Sequence, residues 1–248
     1  MCNNYIFHVH THRCNHASDE CDEKYIERAL QLGASEIVYT DHAPFPGNPF
    51  NNRMRYEQLE EYISSIEELK IRYQGRIAIR IGLEIEYLPS YINYYKDLKK
   101  NNAIELLMIG QHHYEVRKDF YSFMLEDKSM EHVGLVNAML QGMDTGLFDV
   151  VAHPDRAFRR VKEWTSEITE LSNRIIQKAW KNDIYIEKNY RSMNRKNHYC
   201  KEFWKLVPED ERIVYGCDAH ATDELILAHD IRTAEIHLNA SNKAMHRK

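Results

Sequence analysis

Short apolar runs punctuate the chain and alternate with longer stretches whose apolar positions return every third or fourth residue. The runs are YIFHV (5–9), EIVYT (36–40), IAIRIGLEI (77–85), IELLMIG (104–110), LFDVVA (147–152), DIYIE (183–187) and RIVYG (212–216), all rich in Ile, Val, Leu and Tyr. Their length and composition predict strands, and the stretches between them predict helices. In DEKYIERALQLG (22–33), Tyr25, Ile26, Ala29, Leu30 and Leu32 share one helical face, and Gly33 supplies the stop. YEQLEEYISSIEELKIRYQG (56–75) repeats the device with Leu59, Tyr62, Ile63, Ile66 and Leu69, and SEITELSNRIIQKAWKN (166–182) repeats it a third time. Strand then helix, about seven times over and without a Pro/Gly/Ser-rich linker, predicts a parallel α/β fold built as one unit over residues 1–248. A (β/α) barrel is preferred to an open doubly wound sheet, although periodicity alone does not separate them. No strand is followed by GxGxxG and no GxxxxGK[ST] occurs, which counts against the nucleotide-cradling folds.

Charge and cysteine content narrow the function classes. The 33 basic and 38 acidic side chains leave a net charge of −5, so nothing points to a general nucleic-acid or membrane surface, while a local basic patch for a small anionic substrate stays open. The five cysteines (Cys2, Cys14, Cys21, Cys200, Cys217) contain no CxxC pair, which predicts reduced thiols and a cytoplasmic location rather than a disulfide framework or zinc ribbon. The first residues lack the basic and long apolar regions of a leader, and no run approaches 18 apolar residues. Neither export nor membrane insertion is expected.

Metal-capable side chains gather where the strands end. His8 and His10 close the first run and His42 follows the second; Glu84 and Glu86 close the third, and His112 and His113 follow the fourth. His153 follows the fifth, and Asp218 and His220 follow the seventh. Nine of the 14 histidines (8, 10, 12, 16, 42, 112, 113, 153, 220) occupy these places. In a parallel barrel all strand C-termini open onto one face, which carries the chemistry. Any one histidine after a strand is more often a loop or capping residue than a ligand, but coincidence explains their convergence at so many strand ends poorly. His8 and His10, two apart on an extended chain, would point the same way, as would Asp218 and His220. A nitrogen-plus-carboxylate set without an obvious thiolate suits Zn²⁺, Mn²⁺ or Fe²⁺. Seven to nine ligands exceed one tetrahedral ion, so two or three clustered divalent ions are expected, with a bridging carboxylate. Such a cluster activates a bound water and clamps the attacking and leaving oxygens of a phosphoryl transfer.

The stretches HVHTHRCNH, YTDHAP, IRIGLEIEY, IGQHHY, AHPD and GCDAH, spanning residues 8 to 220, resemble the polymerase and histidinol phosphatase (PHP) superfamily, and within it the histidinol-phosphate phosphatase branch. The resemblance implies a distorted, TIM-like (β/α) barrel of seven strands with a two- or three-metal site at its C-terminal mouth. Carried over by position, it implies that His8, His10, Glu84 and Asp218 hold one ion with Glu84 bridging, that His113 and His153 complete a second, and that His16, His42 and His220 hold a third. Glu84, Asp218 and His220 are then the catalytic residues of a metal-bridged hydroxide mechanism. In QHHY the pattern aligns His113 as ligand and His112 as its neighbour. Glu86 and His12 are expected beside the ligands rather than among them, Asp41 to orient an imidazole, and Cys14 and Cys217 to pack.

A phosphomonoester brings negative charge that the ions only partly neutralise, so arginines are expected at the mouth. HPDRAFRR supplies Arg156, Arg159 and Arg160, and EKNYRSMNRKN supplies Arg191 and Arg195; Arg160 and Arg191 are the first choices for binding phosphate. The second segment keeps Glu187 and Asn189 but replaces the small residues of the branch pattern E-x-N-T-S-G-x-R with YRSM, which bears on the substrate rather than on the metal chemistry. The leading expectation is a metal-dependent phosphomonoesterase acting on a small phosphorylated substrate such as L-histidinol phosphate. A phosphodiesterase or nuclease on the same ions, and a barrel whose metals are only structural, are the alternatives; the acidic net charge counts against the first and the full ligand series against the second.

Overall fold

The computed structural model describes residues 4–209 and 212–245. Seven parallel strands follow the predicted runs: β1 (Tyr5–Val9), β2 (Glu36–His42), β3 (Ala78–Ile85), β4 (Leu106–Ile109), and, after a small antiparallel hairpin β5 (Glu115–Arg117) and β6 (Phe120–Tyr121), β7 (Val150–Val151), β8 (Tyr185–Asn189) and β9 (Ile213–Gly216). Their order in the sheet is β1-β2-β3-β4-β7-β8-β9. The chain leaving β9 then lies along β1, where Cys217 N donates to Phe7 O (2.8 Å), Ala219 N to His8 O (3.1 Å) and His10 N to Ala219 O (2.9 Å). The sheet thereby wraps into a nearly closed, TIM-like barrel of seven strands, as expected, with these backbone bonds at its C-terminal end.

Helices α1 (Asp22–Gln31), α2 (Leu59–Arg72), α3 (Ile92–Lys100), α4 (Glu131–Asp144), α5 (Ser166–Lys181), α6 (Tyr190–Met193), α7 (Lys201–Trp204) and α8 (Ala228–Met245) connect or flank these strands. Among the described residues, no helix is long and apolar enough to cross a membrane.

Period-two alternation sorts the side chains into two cores. Ile6, Ile37, Tyr39, Leu107 and Ile109 face outward, where they pack with Tyr25, Ile26, Tyr62 and Ile66 of the helices. Phe7, Val38, Leu106, Met108, Val150 and Ala152 face inward and fill the barrel. The inward rows continue past this plug into polar residues, with His42 paired to Glu84 and Glu84 to Met108 in register. The plug therefore supports a floor of buried carboxylates and imidazoles at the C-terminal mouth.

Candidate metal centre

Most of the predicted site residues gather at that mouth. Glu84 is its hub: Oε2 lies 3.3 Å from His8 Nε2, 3.5 Å from His10 Nε2 and 3.1 Å from His42 Nδ1, and Oε1 lies 2.9 Å from His153 Nε2. Asp218 Oδ1 lies 3.4 Å from His10 Nε2 and 4.0 Å from His8 Nε2. His16 Nε2 and His220 Nε2 face each other at 2.8 Å. Ligand atoms converge within 4.8 Å of one another in His8/Glu84/His153, His8/His10/Asp218, His10/His42/Glu84 and His16/His42/His220. Ligands about 2.1 Å from a shared ion stand about 3 to 3.5 Å apart, which is the spacing seen here.

His8 and His10 are fully buried, yet His8 Nε2 and His10 Nε2 make no hydrogen bond among the described residues. Two inward-aimed, unsatisfied imidazole nitrogens between carboxylates are costly unless a cation completes them. The donor set therefore fits divalent ions. Its electrostatics agree. Burial, followed for His42 by the neighbouring His10 and for His153 by Arg156, pushes both imidazoles below their ordinary pKa; burial also lowers His16 and His220. Neutral imidazole is the metal-binding form. Burial opposes charge on His8 as well, but Glu187, Glu84 and Asp218 outweigh it and raise its pKa. Burial would raise Glu84 and Asp218, yet the surrounding imidazoles, His8 foremost, hold both well below the usual carboxylate range.

Backbone geometry aims these groups. His8 is the extra residue of a bulge where β1 meets β2, between the pairs Phe7↔Val38 and Val9↔Tyr39. His8, His153 and Asp218 have φ of 69°, 29° and 56°, a region that L-residues seldom adopt and that concentrates at functional sites. The expected same-side pairing of His8 and His10 along an extended chain is thus reached by another route, with ring centroids 5.0 Å apart.

Two side chains lie elsewhere than expected. His112, not His113, turns toward the hub: His112 Nε2 is 3.7 Å from Glu84 Oε1, its Nδ1 is 3.0 Å from Glu86 Oε1, and its ring centroid is 5.2 Å from that of His153. His113 packs its ring among Phe50, Tyr121 and Phe123 and brings Nδ1 to 3.5 Å from Glu86 Oε1, short of the Glu84 hub. The chain turns tightly here, with His112 N donating to Gly110 O (3.0 Å), and this swings the His112 ring toward Glu84. Arg160 is also displaced, its Nε 2.8 Å from Glu131 Oε2 and its side chain 58% exposed. Arg156 takes the inner position, with Nη1 4.0 Å from Asp218 Oδ2 and its buried Nε without a hydrogen bond among the described residues. Arg191 stays at the rim, its Nη1 3.4 Å from Asp218 O and 2.6 Å from Glu224 Oε2.

The neighbouring residues behave as their chemistry predicts. His12 is exposed and outside the cluster. Asp41 Oδ1 lies 3.5 Å from His10 Nδ1. Glu86 is bound by both Arg53 Nη atoms (2.9 and 3.1 Å) and faces His112. Cys14 is buried within reach of His10 and His220, and its thiol is pushed up to about 12 chiefly by burial, so it keeps its proton. Glu187 carries a role the motifs did not assign: its Oε1 is 2.5 Å from His8 Nδ1 and its Oε2 accepts from His153 N (3.0 Å), which fixes two ligands at once. Only the alternation of Glu187 with Asn189 along β8 signals it in the sequence.

The PHP domain model matches residues 7–191. The chain belongs to the PHP domain family. It is 38% identical to the histidinol-phosphatase of Bacillus subtilis (strain 168) over 90 residues, 34% of each chain. It is 32% identical over 157 residues to the Deinococcus radiodurans protein named "Probable histidinol-phosphatase", covering 60% of this chain and 59% of that one. The aligned stretches thus span less than two thirds of these relatives. Among solved structures, histidinol phosphate phosphatase from Lactococcus lactis subsp. lactis Il1403, complexed with zinc, L-histidinol and phosphate, shares the fold with a TM-score of 0.71 at 19% identity, over 96% of this chain and 93% of that one.

Proposed function

We propose that this PHP chain is a metal-dependent phosphomonoesterase with L-histidinol phosphate as substrate. The observation that carries the reading is the set of buried imidazole nitrogens on His8 and His10, left without hydrogen bonds around Glu84 and Asp218. Two ions on the Glu84 hub and a third on His16, His42 and His220, of zinc, manganese or iron, fit the donors. Divalent ions there supply Lewis acidity toward a phosphoryl oxygen and lower the pKa of water. The chain's residues do the rest. His8, His10, His16, His42, His112, His153, His220, Glu84 and Asp218 hold the ions; Glu187 and Asp41 hold imidazole rings in place. Arg156 and Arg191, on the Asp218 side of the mouth, receive and orient the phosphate dianion. The names of the aligned relatives favour histidinol phosphate among small esters.

The test is phosphate release from a panel of phosphomonoesters including L-histidinol phosphate, on protein of measured metal content. Turnover of histidinol phosphate is expected to fall at least 100-fold in His153→Asn, and KM to rise in Arg156→Ala but not in Arg160→Ala. Failure to hydrolyse any monoester with the metals bound overturns the reading; turnover of other esters alone moves the substrate and leaves the metal chemistry standing.

A further inference from the structure

Arg13 is the largest side chain in the group buried to under 2% by side-chain volume, an unusual place for a guanidinium. Every N–H it owns is committed. Nε and Nη2 donate to Glu61 (2.7 Å each), Nη1 and Nη2 donate to Asp22 (2.8 Å each), and the remaining Nη1–H donates to Thr11 Oγ1 (3.2 Å). Asp22 is itself held by the Ser65 hydroxyl (2.8 Å). A guanidinium cannot accept a hydrogen bond, so Thr11 Oγ1 is an acceptor toward Arg13 and must send its own proton elsewhere. It sends it to Asp41 Oδ2. That leaves Asp41 Oδ1, which accepts from His42 N (2.8 Å) and lies 3.5 Å from His10 Nδ1. Both ring nitrogens face carboxylates, Nδ1 toward Asp41 and Nε2 toward Asp218 and Glu84 at 3.4 and 3.5 Å; an ion taken by Nε2 leaves the His10 proton on Nδ1, on the side where Asp41 is held.

We propose that Thr11 and Arg13 are positioning residues that impose the metal-binding tautomer of His10. The hydrogen bonds run one way, from the donor-only guanidinium through Thr11 to Asp41, so the direction of each is fixed; the last step, from Asp41 Oδ1 to His10 Nδ1, is a 3.5 Å charge contact without a hydrogen bond. Its outer end rests on Asp22 of α1 and Glu61 of α2, which links two helices outside the barrel to a ligand inside it. The inference rests on the metal-centre reading, and its test does not use substrate.

The test compares ion affinities, by chelator competition and elemental analysis, in the full chain and its Thr11→Val and Thr11→Ser variants. Valine keeps the shape of threonine and removes the hydroxyl. The expected result is an about 10- to 100-fold loss of affinity for one ion with the others retained, restored in Thr11→Ser. Should Thr11→Val not fold, Glu61→Gln loosens Arg13 from a 59% exposed carboxylate and is expected to weaken the same ion to a lesser degree. Wild-type affinity in the hydroxyl-free variant, or a uniform loss of all ions that serine does not restore, overturns the proposal. A chain that holds its metals but hydrolyses no phosphomonoester contradicts the proposed activity while leaving this inference untouched.

Discussion

His112 and His113 show how one residue's direction decides its chemistry. The two are adjacent and chemically identical, and both face Glu86, yet His112 reaches Glu84 while His113 packs its ring among Phe50, Tyr121 and Phe123. His112→Asn is accordingly expected to lower metal content and phosphatase turnover by at least 10-fold, and His113→Asn to cost mainly stability, read by elemental analysis beside thermal unfolding. The convergence of candidate ligands was legible in the sequence, because strand-end histidines and carboxylates have few other reasons to gather. Which of two neighbours faces inward was not, since it depends on the backbone after β4. Arg156 and Arg160 repeat the lesson: the 3₁₀ turn over Pro154–Phe158 turns the first toward Asp218, and the second meets Glu131.

At the scale of elements, the strands and the most amphipathic helices follow the period of their apolar residues. Helix α4 escapes that signal because Leu135, Val136, Ala138, Met139, Leu140 and Met143 bury most of its circumference. The bulge at His8 and the left-handed backbone at His153 and Asp218 were equally hidden, because none of these positions is a glycine. Two glycines do matter by closeness. A Cβ on Gly110 would stand 2.1 Å from Glu84 Oε1, and one on Gly216 would stand 1.8 Å from Glu187 Oε1 and 3.0 Å from His8 Cβ. Strands β4 and β9 thus leave room for carboxylates reaching across the barrel. Gly216→Ala is expected to push Glu187 off His8, to destabilise the fold by about 1–3 kcal/mol in denaturant unfolding, and to weaken metal retention.

For the whole molecule, the barrel is a device that lets distant strands share one carboxylate, and its protonation is coupled to its metals. In the metal-free chain His8 and His10 are raised above the ordinary histidine value, against burial, by the carboxylates around them. Ions must displace those protons, so metal uptake is expected to release protons and metal affinity to fall with falling pH. His16, His42, His153 and His220 have lowered pKa values, chiefly through burial. Their share of the stability is complete above the unfolded-state value of about 6.5 and declines as pH falls below it, because the unfolded chain then takes up more protons. Acid is therefore expected to strip the ions and weaken the fold together, which pH titration of bound metal beside thermal unfolding would record.

The most direct measurement is the rate of phosphate release from L-histidinol phosphate as metal is removed by chelation and then returned in measured equivalents. Hydrolysis is expected to disappear with the ions and to return as two to three equivalents rebind. Hydrolysis that persists in fully metal-free protein would contradict the metal-dependent reading, as would complete metal reloading that restores no phosphate release from any monoester.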